Sequence, residues 1–320
     1  MEVETQRASG RRLWDDLRRS VGQVVVGGDE TLRLITIALL ADGHVLLEDV
    51  PGIGKTLLAR AVARSLALDT SRIQGTPDLL PSDVTGGSVF APGGLRFVPG
   101  PVFTNLLLFD EVNRATPRTQ SALLEAMQER QVSIEGATRP LPDPFLVIAT
   151  QNPVEFEGTF SLPQAQLDRF LVRARVGYPD ADGERRIARR HQAAAEPLDA
   201  IGPVIARDRL LALRDEVRGV RVADEVEAYL VAIVRATRSH PDIDLGGSPR
   251  ATVALYRVAQ ASAALDGRDF VTPDDVKRVA PAVLAHRLVV DLDRSLLGAT
   301  ADGVVAAILA STPAPPVDEA

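Results

Sequence analysis

The chain has 320 residues, 45% of them hydrophobic and 25% charged, and carries a net charge of −7 from 36 basic and 43 acidic side chains. Such a chain can bury a sizeable core unaided, and the absence of cysteine excludes a disulfide framework or a thiolate metal site. The acidic balance, with no clustered basic stripe, argues against direct nucleic-acid binding. Arg185, Arg186, Arg189 and Arg190 read as a solvated helix face. The opening MEVETQR is polar, and the longest apolar run, Leu34 to Ala41, is well short of the roughly 18 residues a membrane span needs. A cytoplasmic protein without a membrane span is the expectation.

In chain order, amphipathic helices are predicted over Arg11–Ser20 and Asp29–Ala41. Five apolar runs follow, at His44–Glu48, Thr70–Gln74, Leu106–Asp110, Phe145–Thr150 and Leu171–Val176, interleaved with helical or loop segments. Continuous aliphatic strands alternating with helices are what a parallel sheet covered on both faces requires. The fold class is therefore α/β with a five-stranded parallel sheet. Two hairpins interrupt the rhythm, one over 88–99 around Pro92-Gly93-Gly94 and one over 131–141 across Gly136. Past Tyr178-Pro179 periodic helices take over, roughly Gly183–Ala195, Arg207–Glu216, Asp224–Ser239, Pro249–Leu265 and Pro273–His286. Thr272 reads as an N-cap, with Pro273 at the first helical position. The expected division is an α/β domain over 1–178, an all-helical lid over 179–311 and a disordered Pro-rich tail over 312–320.

The strongest local signal runs from His44 to Thr56: an apolar strand, a glycine-rich turn ending Gly52-Ile53-Gly54-Lys55-Thr56, then a helix former at Leu57. This is the context of a phosphate-binding loop, in which successive backbone N–H groups and the helix N-terminus make an anion cradle. Gly52, Ile53, Gly54, Lys55, Thr56 and Leu57 are the expected nucleotide-binding residues, Lys55 reaching the terminal phosphates and Thr56 ligating Mg²⁺. Only two of the 36 basic residues are lysines, Lys55 and Lys277. A lysine kept at this position suits a slim point charge where guanidinium would not fit. The first glycine of the general pattern is replaced by Asp49, whose carboxylate would repel phosphate unless it turns away or bonds the local backbone.

Leu106–Asp110 ends in the pair Asp110-Glu111, the form of a strand that holds Mg²⁺ through Asp110 and polarises the attacking water through Glu111. Asn152 closes the next apolar strand, at the end of the sheet where open α/β folds bind ligands. Arg250 falls in the first turn of a helix behind Ser248-Pro249, against the helix dipole, which favours an anion nearby. Arg169 precedes the fifth strand and could equally pair with Asp168. The four histidines show no metal-ligand spacing.

Several blocks closely resemble the MoxR family of AAA+ ATPases, in the right order over roughly residues 20 to 290. They are Glu48–Thr56, Gly75–Asp83, Phe109–Ala115, Leu123–Arg130, Ala149–Pro153, Leu162–Phe170 and Gly247–Ala251. The resemblance implies an ATP- and Mg²⁺-dependent ATPase core with a helical lid, assembled as a homo-oligomer in a hexameric ring. It identifies the hairpins as the insertion in helix two and the insertion before sensor one. It further implies that Asn152 is sensor one, Arg250 sensor two and Arg169 an arginine finger supplied to the neighbouring subunit. Val26, within Val25–Gly27, matches the segment that contacts adenine. Members of the family resemble chaperones that mature or activate other proteins, often with a von Willebrand factor A domain partner; nothing here identifies the client.

Overall fold

The computed structural model describes residues 2–50, 52–92, 94–152, 158–190 and 197–316. Helices α1 (Glu2–Gly22) and α2 (Asp29–Leu40) lead into β1 (Val45–Glu48), α3 (Lys55–Ser65) and β2 (Thr70–Gln74). Next come α4 (Pro81–Thr85), the hairpin β3 (Gly86–Ala91) and β4 (Gly94–Pro99), β5 (Leu106–Asp110), α5 (Pro117–Glu129) and a second hairpin, β6 (Gln131–Ile134) and β7 (Ala137–Pro140). The core is completed by β8 (Leu146–Gln151), α6 (Gln164–Leu167) and β9 (Val172–Ala174). Beyond it lie α7 (Ala181–Arg190), α8 (Arg207–Arg218), α9 (Asp224–Arg238), β10 (Ile243–Leu245), α10 (Pro249–Leu265), α11 (Pro273–Leu284), β11 (Val289–Val290), α12 (Leu292–Leu296) and α13 (Ala301–Ser311).

The five predicted core strands form one sheet in the order β2-β5-β8-β1-β9, with every pairing parallel. Alternate residues of each strand enter opposite layers, as a period of two demands. Leu46, Leu107, Phe109, Val147 and Ala149 pack with Leu123, Leu124 and Met127 of α5 on one face. Val45, Leu47, Leu106, Leu108 and Ile148 face α2 and α3 on the other. That second layer continues without a break into the lid through Leu213, Leu230, Val258, Val283 and Val305. The lid is thus packed on the sheet's helical layer. Because the sheet is parallel, the loops after β1, β5 and β8 all open at its carboxyl edge.

The differences from expectation have local causes. Helix α1 begins well before Arg11: its Leu13, Leu17 and Val21 supply the buried stripe, and no apolar periodicity announces the residues before them. Strand β9 is only three residues long, because the chain leaves the sheet and turns at Gly177, whose φ is 72°. Helix α13, capped by Thr300 through the Gly303 N–H at 3.1 Å, lies in the predicted lid but was not separately expected. The short strands β10 and β11, too brief to show alternation, pair antiparallel within the lid. The predicted capping of α11 is present, Thr272 and Asp275 bonding each other's backbone N–H. Positions 191–195 of the helix predicted over Gly183–Ala195, Gly93 of the first hairpin, and tail residues 317–320 lie outside the described residues. Residues 312–316 follow α13 without helix or strand. Among the described residues no helix is long and apolar enough to cross a membrane.

Candidate nucleotide site

Gly52 and Gly54 have φ of 85° and 84°, the left-handed region that side chains rarely adopt, and Gly54 caps α3. A Cβ added to either would meet no atom within 4 Å, so the turn borders open space rather than packed protein. Lys55 and Thr56 open α3, with no acidic residue in its first turn. The Lys55 ammonium donates to the Asp49 carbonyl at 2.5 Å. Burial pulls its pKa below the usual lysine range, and the carboxylates of Asp49, Asp110 and Glu111 offset part of that.

Asp49 does not aim its charge across the loop. One carboxylate oxygen accepts the Val50 N–H at 2.8 Å and the other accepts the Gly177 N–H at 2.7 Å. The residue that replaces the general pattern's glycine therefore bonds local backbone and ties the loop to the connector that leads into the lid. Val26 is half-buried and lies against the first turn of α7, where a Cβ on Gly183 would be 3.2 Å from its side chain. Ile53 and Leu57 are partly buried, Leu57 against the main core.

Asp110, buried at the end of β5, gathers three donors. Thr56 Oγ1 reaches its two oxygens at 3.1 and 3.4 Å, Thr150 Oγ1 donates at 3.3 Å, and Arg72 Nε donates at 2.7 Å. Glu111 sits in a left-handed conformation, φ 55° and ψ 55°, costly for a non-glycine residue and held here by the Thr150 hydroxyl, which accepts the Glu111 N–H at 2.8 Å. Its Oε2 accepts from Gln74 Nε2 at 2.8 Å and from Arg114 Nη1 at 3.2 Å. Gly75 makes room for this turn, since a Cβ there would collide with the Glu111 carbonyl.

Arg72, Gln74 and Thr150 thus belong to the site, yet sequence reasoning did not single them out. Arg72 and Gln74 alternate along one face of β2, a signal that acquires meaning only once β2 is known to pair with β5.

The remaining candidates stand around this cluster. Asn152 follows β8, and its carbonyl accepts from Asn113 Nδ2 at 3.5 Å. Arg169 is half-buried and pairs with no carboxylate among the described residues; Asp168 pairs with Arg287 instead, at 2.8 Å. The guanidinium borders an open groove of about 420 Å³ shared with Ser121, Glu125, Gln128 and Glu129. Arg250, exposed in the first turn of α10, likewise has no ion pair among the described residues. Thr56, Asp110 and Glu111 are linked by hydrogen bonds through Thr150, and Lys55 opens α3 beside Thr56, whereas Arg169 and Arg250 flank the Asp168–Arg287 pair.

Residues 44–172 match the model of the ATPase family associated with various cellular activities, and residues 235–305 match the AAA lid domain. The chain is 48% identical over 297 residues to an uncharacterized protein, YeaC, of Bacillus subtilis, covering 92% of each. It is 43% identical over 284 residues to chaperone MoxR1 of Mycobacterium tuberculosis, covering 85% of this chain and 74% of that one. The crystal structure of a candidate ATPase from Cytophaga hutchinsonii superposes with a TM-score of 0.91 at 38% identity over 98% of both chains. With its five-stranded α/β core and helical lid, the chain belongs to the MoxR family of AAA+ ATPases.

Proposed function

We propose that this protein hydrolyses ATP to ADP and phosphate in a hexameric ring and uses the cycle to remodel, mature or activate client proteins. The observation that carries the reading is the contact of Thr56 Oγ1 with the buried Asp110 carboxylate, 3.1 Å apart, beside a turn of two left-handed glycines bordered by open space. A hydroxyl and a carboxylate joined in this way are the donor set that Mg²⁺ takes with ATP, so the residues present fit the group. Magnesium, when bound with the nucleotide, neutralises charge on the phosphates.

The chain's own residues supply the rest. The N–H groups from Gly52 to Leu57 hold phosphate, Lys55 adds a point charge, and Glu111 orients water and takes its proton. Asn152 senses the terminal phosphate, Arg250 reads it from the lid, and Val26 contacts the base. Arg169 serves the nucleotide of the neighbouring subunit, a use supported by a guanidinium with no carboxylate partner among the described residues. The division into an ATPase domain (1–178) and a lid (179–311), a cytoplasmic setting and a von Willebrand factor A domain partner belong to the same reading. Similarity to a protein named as a chaperone supports the client-directed role.

One observation favours a second reading, a nucleotide-gated scaffold with little turnover: Arg72 already pairs with Asp110 at 2.7 Å. Phosphate release separates the two. The ATPase reading expects wild type to exceed both Lys55→Ala and Glu111→Gln by about 10²-fold or more. Equal, slow release by all three would leave only the scaffold.

A further inference from the structure

Arg169 sits on a segment held by the lid as well as by the sheet, whose core takes Phe170 and whose strand β1 follows the His44 carbonyl that accepts the Leu171 N–H at 2.8 Å. Gln164 Nε2 of α6 donates to the His286 carbonyl at 2.9 Å. The buried Arg287, just past α11, donates from Nε to Asp168 Oδ1 at 2.8 Å and from Nη2 to the carbonyls of Phe170, at 2.6 Å, and Asp168, at 3.4 Å. Its Nη1 donates to the carbonyls of Leu171, at 3.1 Å, and Val283. Asp168 is its ion-pair partner among the described residues. Removing Asp168 would leave a buried guanidinium without its counter-charge, which is strongly destabilising. Burial draws the Arg287 pKa down to about 10, Asp168 opposes the shift, and Arg250 adds to it, which places Arg250 within electrostatic reach of this pair.

The second oxygen of Asp168 is also committed to the lid. Ser248 stands at the N-cap of α10 in extended geometry, yet its hydroxyl caps nothing. It donates to Asp168 Oδ2 at 3.2 Å. A serine at an N-cap ordinarily stabilises its helix by bonding an N–H of the first turn. Here that capacity is spent on the residue next to Arg169, by a serine two positions before Arg250.

We propose that Asp168 is a positioning residue, clamped between Ser248 and Arg287, through which the lid of each subunit aims its Arg169 at the neighbouring site. A shift of the α10 N-terminus, where Arg250 meets nucleotide, then moves Ser248, Asp168 and Arg169 together. Each subunit's own nucleotide governs the arginine it offers next door, and by linkage the neighbour's nucleotide acts back on the lid. The proposal rests on the roles given above to Arg169 and Arg250.

The test is a double-mutant cycle on the full chain, read as turnover at saturating Mg·ATP beside the dissociation constant for ATP. Ser248→Ala carries it, because the hydroxyl caps no helix and its loss leaves Arg287 paired. Expected are a fall in turnover of about tenfold, a dissociation constant within about twofold of wild type, and recovery by Ser248→Thr, which restores a hydroxyl. Ser248→Ala added to Arg169→Ala should slow turnover no further than Arg169→Ala alone. Wild-type turnover by Ser248→Ala, no recovery by Ser248→Thr, or a double variant slowed by the product of the single effects overturns the coupling while leaving the finger intact. Wild-type turnover by Arg169→Ala overturns the finger assignment itself, and this proposal with it.

Discussion

The phosphate loop with its acidic strand and the arginine-bearing joint between core and lid treat charge in opposite ways. In the first, functional groups are tied to one another within the chain: Lys55 to the Asp49 carbonyl, Thr56 and Arg72 to Asp110, Gln74 and Arg114 to Glu111. In the second, the bonded residues are the supports, Asp168, Arg287 and Ser248, while Arg169 and Arg250 are left without a carboxylate partner among the described residues. A charge paired internally is held ready in an isolated subunit. The guanidinium of Arg169, half-buried, and that of Arg250, exposed to solvent, remain open to an anion from elsewhere. On the reading proposed above, the contrast teaches that half of this site belongs to the subunit and half to a neighbouring copy.

The largest effect that could break this comparison is at Arg169. Arginine fingers in related phosphoryl-transfer systems are worth about 10³–10⁵ in rate. Arg169→Ala should therefore lower turnover by at least about 10³-fold while ATP affinity stays within a few-fold, and it should depress the activity of wild-type subunits in mixed rings. Mixtures whose activity merely scales with the wild-type fraction would return Arg169 to its own subunit. A smaller effect sharpens the other half. Asp49→Asn removes the charge and leaves one acceptor oxygen for two N–H donors, Val50 and Gly177, so stability should fall by about 1–2 kcal/mol on denaturant unfolding. ATP affinity should not rise. A clear gain in affinity would mean that the native carboxylate faces the phosphates after all.

What could be seen in advance divides along the same line. The five strands, the glycine turn, Lys55 and the Asp110-Glu111 pair were legible because local pattern and chemistry coincide in a few consecutive residues. Lys55, one of two lysines in an arginine-rich chain, pointed the same way. Arg72 and Gln74 were not legible, since they lie on an edge strand with one buried residue, and their partners appear only through the non-sequential β2–β5 pairing. Asp49 looked like a liability because the Gly177 N–H that receives it is 128 residues away. At Arg169 sequence left two possibilities open, and the pairing of Asp168 with Arg287, 119 residues on, removed the salt bridge between neighbours. The helix start behind Ser248-Pro249 was legible, but the direction of the Ser248 hydroxyl is a tertiary fact.

The smallest expected effect uses a coincidence: among the described residues each half holds one buried histidine. His44 at the foot of β1 accepts the Val147 N–H on Nδ1 at 3.0 Å and donates from Nε2 to the Met127 carbonyl at 3.0 Å, an arrangement that needs the neutral ring. Burial, with Arg130 nearby, lowers its pKa from 6.5 to about 3. His286, buried beside Arg287 and Phe170, is held well below its usual value, again first by burial and then by Arg287. A depressed histidine pKa means that the unfolded chain binds the proton and the folded chain does not. Stability is then unaffected above pH 6.5 and declines as pH falls below it, until the folded pKa is reached. The loss per histidine should steepen from about 0.7 kcal/mol per pH unit at pH 6.5 to about 1.4 near pH 5, above the range where ordinary carboxylates titrate. Denaturant unfolding should show a slope near two protons, falling to about one in His44→Leu and, separately, in His286→Leu. The slope is the quantity read, so the absolute loss from each substitution does not matter. A slope that drops in only one variant would show that the two halves unfold apart, and the unbroken apolar layer from β1 to α13 would then fail to join them into one cooperative unit.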